Sequence, residues 1–424
     1  MAETYTPSVK QSDVSTSYID RIVTHKYLGI PIFLALMFVM FWSTFTLGAY
    51  PQAWIESGFQ WLGDLVLNIM AEGELRDLIV DGIIGGVGSV AVFLPNIVIL
   101  YLFISLMEDS GYMARAAFIM DKLMHLAGLH GKSFIPLVMG FGCNVPAIMA
   151  TRTIESRSSR LITILINPFM SCSARLPVFI LLAGTFFPEH AGVALFCIYI
   201  FGGVMAVFTA RVLRRFMFGA DETPFVMELP PYRIPTLQAT LRHMWERSEQ
   251  YLRKIAGLIL VAAVVIWFLS YYPRPVHDVQ PAMTEQEAMM AHSENSYLGR
   301  IGKVCEPVMK PLGLDWRASV ALVSGAAAKE IVVSTLGVLY SVEDAEENGA
   351  TLSQHLIRSG NYSQASALAM MIFVLLYFPC IATIAAIAHE AGGWRWALFS
   401  VVYNTLLAWV VAWGAYQIGV LFGM

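Results

Sequence analysis

The sequence predicts an all-α fold, a polytopic helical membrane protein, and two observations carry that prediction. Hydrophobic residues make up 57% of the 424 and charged residues 14%, with mean hydropathy +0.62, whereas an ordinary soluble domain carries about 25% charged residues. The apolar residues also form continuous runs rather than alternating ones, the pattern of spanning helices and not of a barrel. Charge-free runs at 27–55, 83–107, 133–151, 191–210, 255–273, 359–388 and 396–424 match the roughly 20 residues that a helix needs to cross the hydrocarbon core. Two more, 161–188 and 318–342, are apolar but interrupted, by Arg175 and by Lys329 with Glu330. The reading is eight to ten crossings, re-entrant segments among them.

A net charge of −4 says little here, because in a membrane protein the placement of charge matters more than its sum. Residues 51–81 are acidic (Glu56, Asp64, Glu72, Glu74, Asp77 and Asp81 against Arg76), so they are expected outside the cytoplasm. Arg152, Arg157 and Arg160 crowd one short loop, and residues 211–254 are the most basic stretch of the chain. Both are expected in the cytoplasm, with two spans between them. The polar insert 276–306 and the acidic stretch 343–347 are expected outside. Residues 1–20 are polar and lack an apolar core, so residues 1–26 read as a tail or linker rather than a signal peptide. Five cysteines with no CxxC pair give neither a disulfide framework nor a zinc-finger signature.

A weak internal repeat is present. GLHGKSFIPLVMGFGCNVPAIMA, from Gly128, aligns without gaps on GLDWRASVALVSGAAAKEIVVST, from Gly313, and downstream Cys172 falls opposite Cys380. The loops that follow the first pair carry opposite charge, as an inverted-topology repeat requires, and such repeats place a substrate site at their interface.

Three segments join helix breakers to a cysteine: Gly140-Phe-Gly-Cys143-Asn-Val-Pro146, Asn167-Pro-Phe-Met-Ser171-Cys172-Ser-Ala-Arg175-Leu-Pro177, and Phe378-Pro379-Cys380. Glycine relaxes a helix and proline removes a donor. A broken helix at membrane depth is tolerated only where it is buried in protein or lines a cavity. Thiolate suits soft and borderline metals, so Cys143, Cys172 and Cys380 are candidates for a metal path, against the alternative of small buried hydrophobes. That alternative is preferred for Cys197 and Cys305. Met113, Met120, Met139 and Met170 are read first as core filling. Glu108 and Asp109, adjacent at the end of an apolar run, form an ion vestibule or a solvated helix end. Lys329 and Glu330 need partners at membrane depth, and Arg175 is the candidate for Glu330. Gly131-Lys132-Ser133 imitates the end of a phosphate-binding loop, but Leu126 stands where the first glycine is required. No nucleotide site is found.

The strings SVAVFLPNIVILYLFISLMEDSGYMARAAFIMDKLM, GFGCNVPAIMATRTIESRSSRL, PFMSCSARLPVF, TPFVMELPPYRIP, AAAKEIVVSTLGVLY and IFVLLYFPCIATIAAI resemble the membrane region of FeoB-type ferrous iron transporters, from about residue 27 to near the C-terminus. The resemblance implies two gate-type repeats, inverted and containing broken helices. Residues 27–86 would then be a first span with an acidic segment, 87–190 the first gate repeat, 191–316 a central region, and 317–424 the second gate repeat. It implies an Fe(II) path lined by Cys143, Cys172 and Cys380, with a contribution from Ser171, and an acidic motif at Glu108 and Asp109. Family members usually begin with a GTP-binding domain and a helical coupling domain, which these 424 residues lack. GTP hydrolysis is therefore expected to reside elsewhere, and the chain is not expected to be an enzyme or to hold a permanent cofactor. Expected partners are membrane lipid, Fe2+ as cargo, a GTPase domain in cis or in trans and a small SH3-like protein, with room for a homo-oligomer and no nucleic acid. The expected location is the bacterial cytoplasmic membrane. Two other readings stand beside this one: a nucleoside or small-solute transporter, and a membrane scaffold that docks a GTPase through residues 211–254.

Overall fold

The computed structural model describes residues 20–25, 27–71, 73–218, 232, 235–273, 292–340, 349–358 and 362–423. Residues 1–19 of the expected tail, the acidic stretch 343–347 and positions 276–291 of the polar insert lie outside these. Among the described residues the chain is helical and has no strand. Six helices among the described residues are long and apolar enough to cross a membrane.

Helix α1 (Gly29–Ile69) packs antiparallel to α2 (Gly85–Asp109), which continues a π segment, Leu78–Ile84, into one rod from Glu74. The amphipathic α3 (Tyr112–Leu126) follows. A helical hairpin, α4 (Phe134–Met139) and α5 (Asn144–Ala150), comes next. A broken span, α6 (Arg157–Ile166) and α7 (Leu176–Phe186), then runs to the opposite end, and α8 (Ala191–Phe216) returns. The long α9 (Leu237–Tyr271) crosses against α2: Asp109 accepts from Thr240 at its start, and Asp77 accepts from the Tyr271 hydroxyl at its end (2.7 Å). Beyond it lie α10 (Tyr297–Met309), a second hairpin of α11 (Trp316–Ser324) and α12 (Ile331–Leu339), and α13 (Gly349–Arg358). A second broken span, α14 (Gln364–Leu376) and α15 (Ile381–Glu390), and the final α16 (Trp394–Leu421) complete the fold.

The predicted runs 133–151 and 318–342 are not crossings. Glycines divide each into two half-helices, and both ends of each hairpin lie at the same end of the molecule. The first hairpin is closed at its base by Lys132 and Glu155 (2.6 Å), among Arg152, Arg157 and Arg160. The second is closed at the opposite end, where Asp315 accepts from Tyr340 (3.4 Å) and Tyr362 (2.9 Å). At 1.5 Å per residue the arms of the first hairpin reach only about 10 Å, a third of a hydrocarbon core of about 30 Å. The repeat read from the sequence is therefore an inverted pair of re-entrant hairpins, each followed by a broken span.

Helix α14 is buried from Ala365 to Leu376 except at the half-buried Leu368, which makes it the centre of the bundle. In contrast, α8 turns Val193, Phe196, Ile200, Val204 and Phe208 outward, and α16 does the same with Leu398, Val402, Leu406 and Val410. Outward apolar stripes of this length are what a lipid-facing surface needs. Cys197 is on that outer face and not in the core, a correction to its reading as a small buried hydrophobe. A basic cluster lies at one end, where Arg214 donates to Ser158 (3.2 Å), Arg247 to Glu108 (2.7 Å), and Arg115 grips Asp20 (2.9 Å), while Lys303 and Arg317 stand near the base of the second hairpin at the other.

Candidate ion site at the convergence of four helix breaks

Each hairpin tip docks on the break in the span that follows it. In the first half, Ser173 donates from its amide and its hydroxyl to the Gly142 carbonyl (3.4 and 3.2 Å). In the second, the Ile381 amide donates to the Ala326 carbonyl (2.9 Å). The close approach explains the glycines. A β-carbon at Gly140 would stand 2.7 Å from Asn167 Oδ1, and one at Gly325 would stand 2.5 Å from the Val332 side chain and 2.9 Å from the Tyr377 hydroxyl. Asn167 donates to the Pro136 carbonyl (3.0 Å). Asn144, with its NH2 group turned inward, donates to Gly140 O and Asn167 Oδ1 (3.2 and 3.0 Å).

The four breaks enclose one cavity of about 140 Å³ between the two repeats, closed on a further side by α1 and α2. Cys143, Cys172 and Cys380 all line it, with Glu330. Each of the three cysteines has extended backbone and stands immediately before a helical segment: α5, the 3-10 turn Ser173–Arg175, and α15. Extended residues between half-helices leave backbone polar groups free to face a cavity, the arrangement that transporters use for ions. Cys380 Sγ lies 3.2 Å from Thr383 Oγ1, one turn into α15. The second hairpin carries Ala328 where the first carries Cys143 in the repeat alignment, which is why the site has three thiols and not four.

Two buried basic side chains brace this cavity. Arg175, 1% exposed, donates from Nη1 to the Pro168 and Leu375 carbonyls (2.9 and 2.8 Å). Lys329, 3% exposed, donates to the Phe378 carbonyl (3.0 Å) and lies 3.4 Å from the centre of the Tyr377 ring. Leu375 and Phe378 flank the end of α14, where broken helical bonding leaves carbonyls open and the helix dipole favours positive charge. Both side chains line the cavity and donate to structural carbonyls at its edge. Asn96 on α2 was missed by the sequence reading; it also lines the cavity, and its buried Oδ1 is wedged against Gly48. The one signal for it was a polar amide following Pro95 within an apolar run.

The remaining candidates lie elsewhere. Ser171 is buried against Tyr199 and is not among the residues lining the cavity. Glu108 and Asp109 line a separate cavity of about 530 Å³ at the basic end, with Arg152, Met139, Met149 and Pro146. There Glu108 pairs with Arg247 and Asp109 with His243 (3.3 Å). The first hairpin is the wall between the two spaces, since Cys143–Val145 face one and Pro146 with Met149 the other. Among the described residues no three His, Cys, Asp or Glu side chains are gathered closely enough to hold a metal ion. The thiol cavity is thus not a closed coordination shell of the structural type.

A helical bundle with two opposed re-entrant hairpins, whose broken helices meet at an internal cavity, defines a multi-pass membrane protein of the inverted-repeat class. Comparison with known proteins narrows this. The model of the Gate family, "Nucleoside recognition", matches residues 90–186 and 252–394, and that of "Ferrous iron transport protein B C terminus" matches residues 195–247. The chain is 54% identical to the Fe(2+) transport protein A/Fe(2+) transporter FeoB fusion protein of Porphyromonas gingivalis, over 100% of this chain and 54% of that protein. It is 44% identical to the Fe(2+) transporter FeoB of Campylobacter jejuni (94% of this chain, 64% of the relative). Identity is also 44% to that of Staphylococcus aureus (96% and 60%). The chain belongs to the FeoB family and corresponds to its membrane region, spanning somewhat more than half the length of these relatives. No solved structure matches it.

Proposed function

We propose that the chain carries ferrous iron across the bacterial cytoplasmic membrane through the cavity lined by Cys143, Cys172 and Cys380. The observation that carries this reading is the convergence of four helix breaks, two from each gate repeat (residues 87–190 and 317–424), on a space holding three of the five cysteines. Fe(II) accepts mixed sulfur, nitrogen and oxygen ligands, and a few thiols with retained water suit an ion that must also be released. The relatives named as Fe(2+) transporters support the choice of ion. By the positive-inside rule the basic end faces the cytoplasm. Iron then enters from the opposite end, passes the three thiols, and leaves past the first hairpin into the larger space beside Glu108 and Asp109. A GTPase domain, in cis or in trans, and a small SH3-like protein are the partners this reading calls for.

The nucleoside reading has a specific observation against it. Sites for organic ligands usually occupy about 300–1,000 Å³, and the thiol cavity measures about 140 Å³, although Phe41, Phe45 and Phe93 line part of it. The test is Fe(II) uptake into proteoliposomes under reducing conditions. Replacing Cys143 or Cys172 by serine is expected to lower uptake at least tenfold, and added nucleosides are expected to leave it unchanged. Unaltered uptake in both variants overturns the thiol path, and competition by nucleosides restores the rival.

A further inference from the structure

Glu390 is the last residue of α15, and its side chain is 3% exposed. Arg152, two residues past the first hairpin, donates to it from Nε (2.8 Å) and again from Nη2. Arg160, on α6, donates to the same carboxylate and to the Glu390 carbonyl (both 3.1 Å). His389 Nδ1 lies 3.4 Å away. One buried carboxylate therefore ties three elements together at the basic end: the exit arm of the first hairpin, the first broken span and the second. It is also a bond between the two repeats.

The arm it holds has open space on both sides. Helix α5 presents Pro146 and Met149 to the cavity of about 530 Å³, and Val145 and Met149 to another of about 300 Å³ that reaches His389 and Glu390. Helix α5 is buried from Asn144 to Ile148, and only its exit end, at Met149 and Ala150, is half-open, so the polar tether at Arg152 sets the position of that end. Since α5 is the wall between the thiol cavity and the basic-end cavity, its position decides whether the two communicate. The Lys132–Glu155 pair at the same base is a weak substitute. Lys132 holds the Glu155 carboxyl below its ordinary range, but Glu155 is fully exposed, and exposed pairs are screened.

We infer that Glu390 is the positioning residue of an inner gate: the Arg152–Glu390–Arg160 cluster holds α5 closed over the thiol cavity, and its release opens that cavity toward the basic end. This rests on the transport reading above and adds the element that moves, and its test reads access rather than transport. In a chain with Cys197→Ser and Cys305→Ser, the remaining thiols are those of the cavity. A membrane-impermeant maleimide added from the basic end should label them at least tenfold faster in Glu390→Gln and in Arg152→Gln. The double variant should be no faster than Glu390→Gln, because that change already removes the carboxylate that Arg152 holds. Retained monodispersity and a melting transition in detergent establish that each variant folds; if Glu390→Gln does not, Arg152→Gln carries the test. Labelling that stays at the parental rate in a folded variant overturns the gate. So does an equal acceleration from the opposite end, which marks general loosening. Faster one-sided labelling without Fe(II) uptake in any form sustains the gate and removes the transport reading.

Discussion

In the sequence Arg175 and Lys329 read equally as packing struts or pathway charges, and their contacts are those of braces. Each fills carbonyls that the end of α14 leaves open, and neither is more than 3% exposed. A buried acceptor left without its donor costs about 1–3 kcal/mol. Arg175→Met strands two such carbonyls, Pro168 and Leu375, so a loss of roughly 2–6 kcal/mol is expected on the same basis, seen as a lowered melting temperature in detergent. Glu155→Gln, which breaks only an exposed pair, should leave that temperature unchanged. At this scale the sequence was partly legible. Cysteines beside prolines and glycines announced themselves, because a breaker inside an apolar run is conspicuous. Glu390 and Asn96 did not, because what gives each its role is a contact made far along the chain: Glu390 meets Arg152 and Arg160, and Asn96 meets Gly48. Glu108 and Asp109 were found as an acidic pair, but only the fold shows that the first hairpin separates them from the thiols.

The hairpins and broken spans are the functional elements, and their glycines are spacing devices more than flexible joints. A methyl group at Gly140 would stand 2.7 Å from Asn167 on the neighbouring span, and one at Gly325 would stand 2.5 Å from Val332 in its own hairpin and 2.9 Å from Tyr377 on the neighbouring span. Overpacking of this kind costs about 1–3 kcal/mol, so Gly140→Ala and Gly325→Ala should each lower the melting temperature and distort the thiol cavity. Gly184→Ala, with nothing within 4 Å, should be neutral or slightly stabilising, since alanine is the better helix former. Melting curves of the three variants check this ranking. Hydropathy alone overstated the crossings at 133–151 and 318–342, because it registers apolar length and not direction. The gapless alignment of Gly140 on Gly325 was the better guide: it marked both turns, and the opposite loop charges marked their opposed orientation.

Across the whole molecule, two copies of one motif face each other from opposite ends and meet at a single cavity. The first copy is anchored by charge, at Glu390 and Arg152, and the second by hydroxyl bonds, at Asp315, Tyr340 and Tyr362. That division places the stronger tether at the basic end, where the proposed exit lies. The central claim is that iron passes the three thiols, and covalent occupation of the cavity tests it most directly. In the Cys197→Ser, Cys305→Ser chain, alkylation of Cys143, Cys172 and Cys380 with a small maleimide should abolish Fe(II) uptake into reducing vesicles, and Fe(II) present beforehand should slow the alkylation. Undiminished uptake by fully alkylated protein would contradict the account.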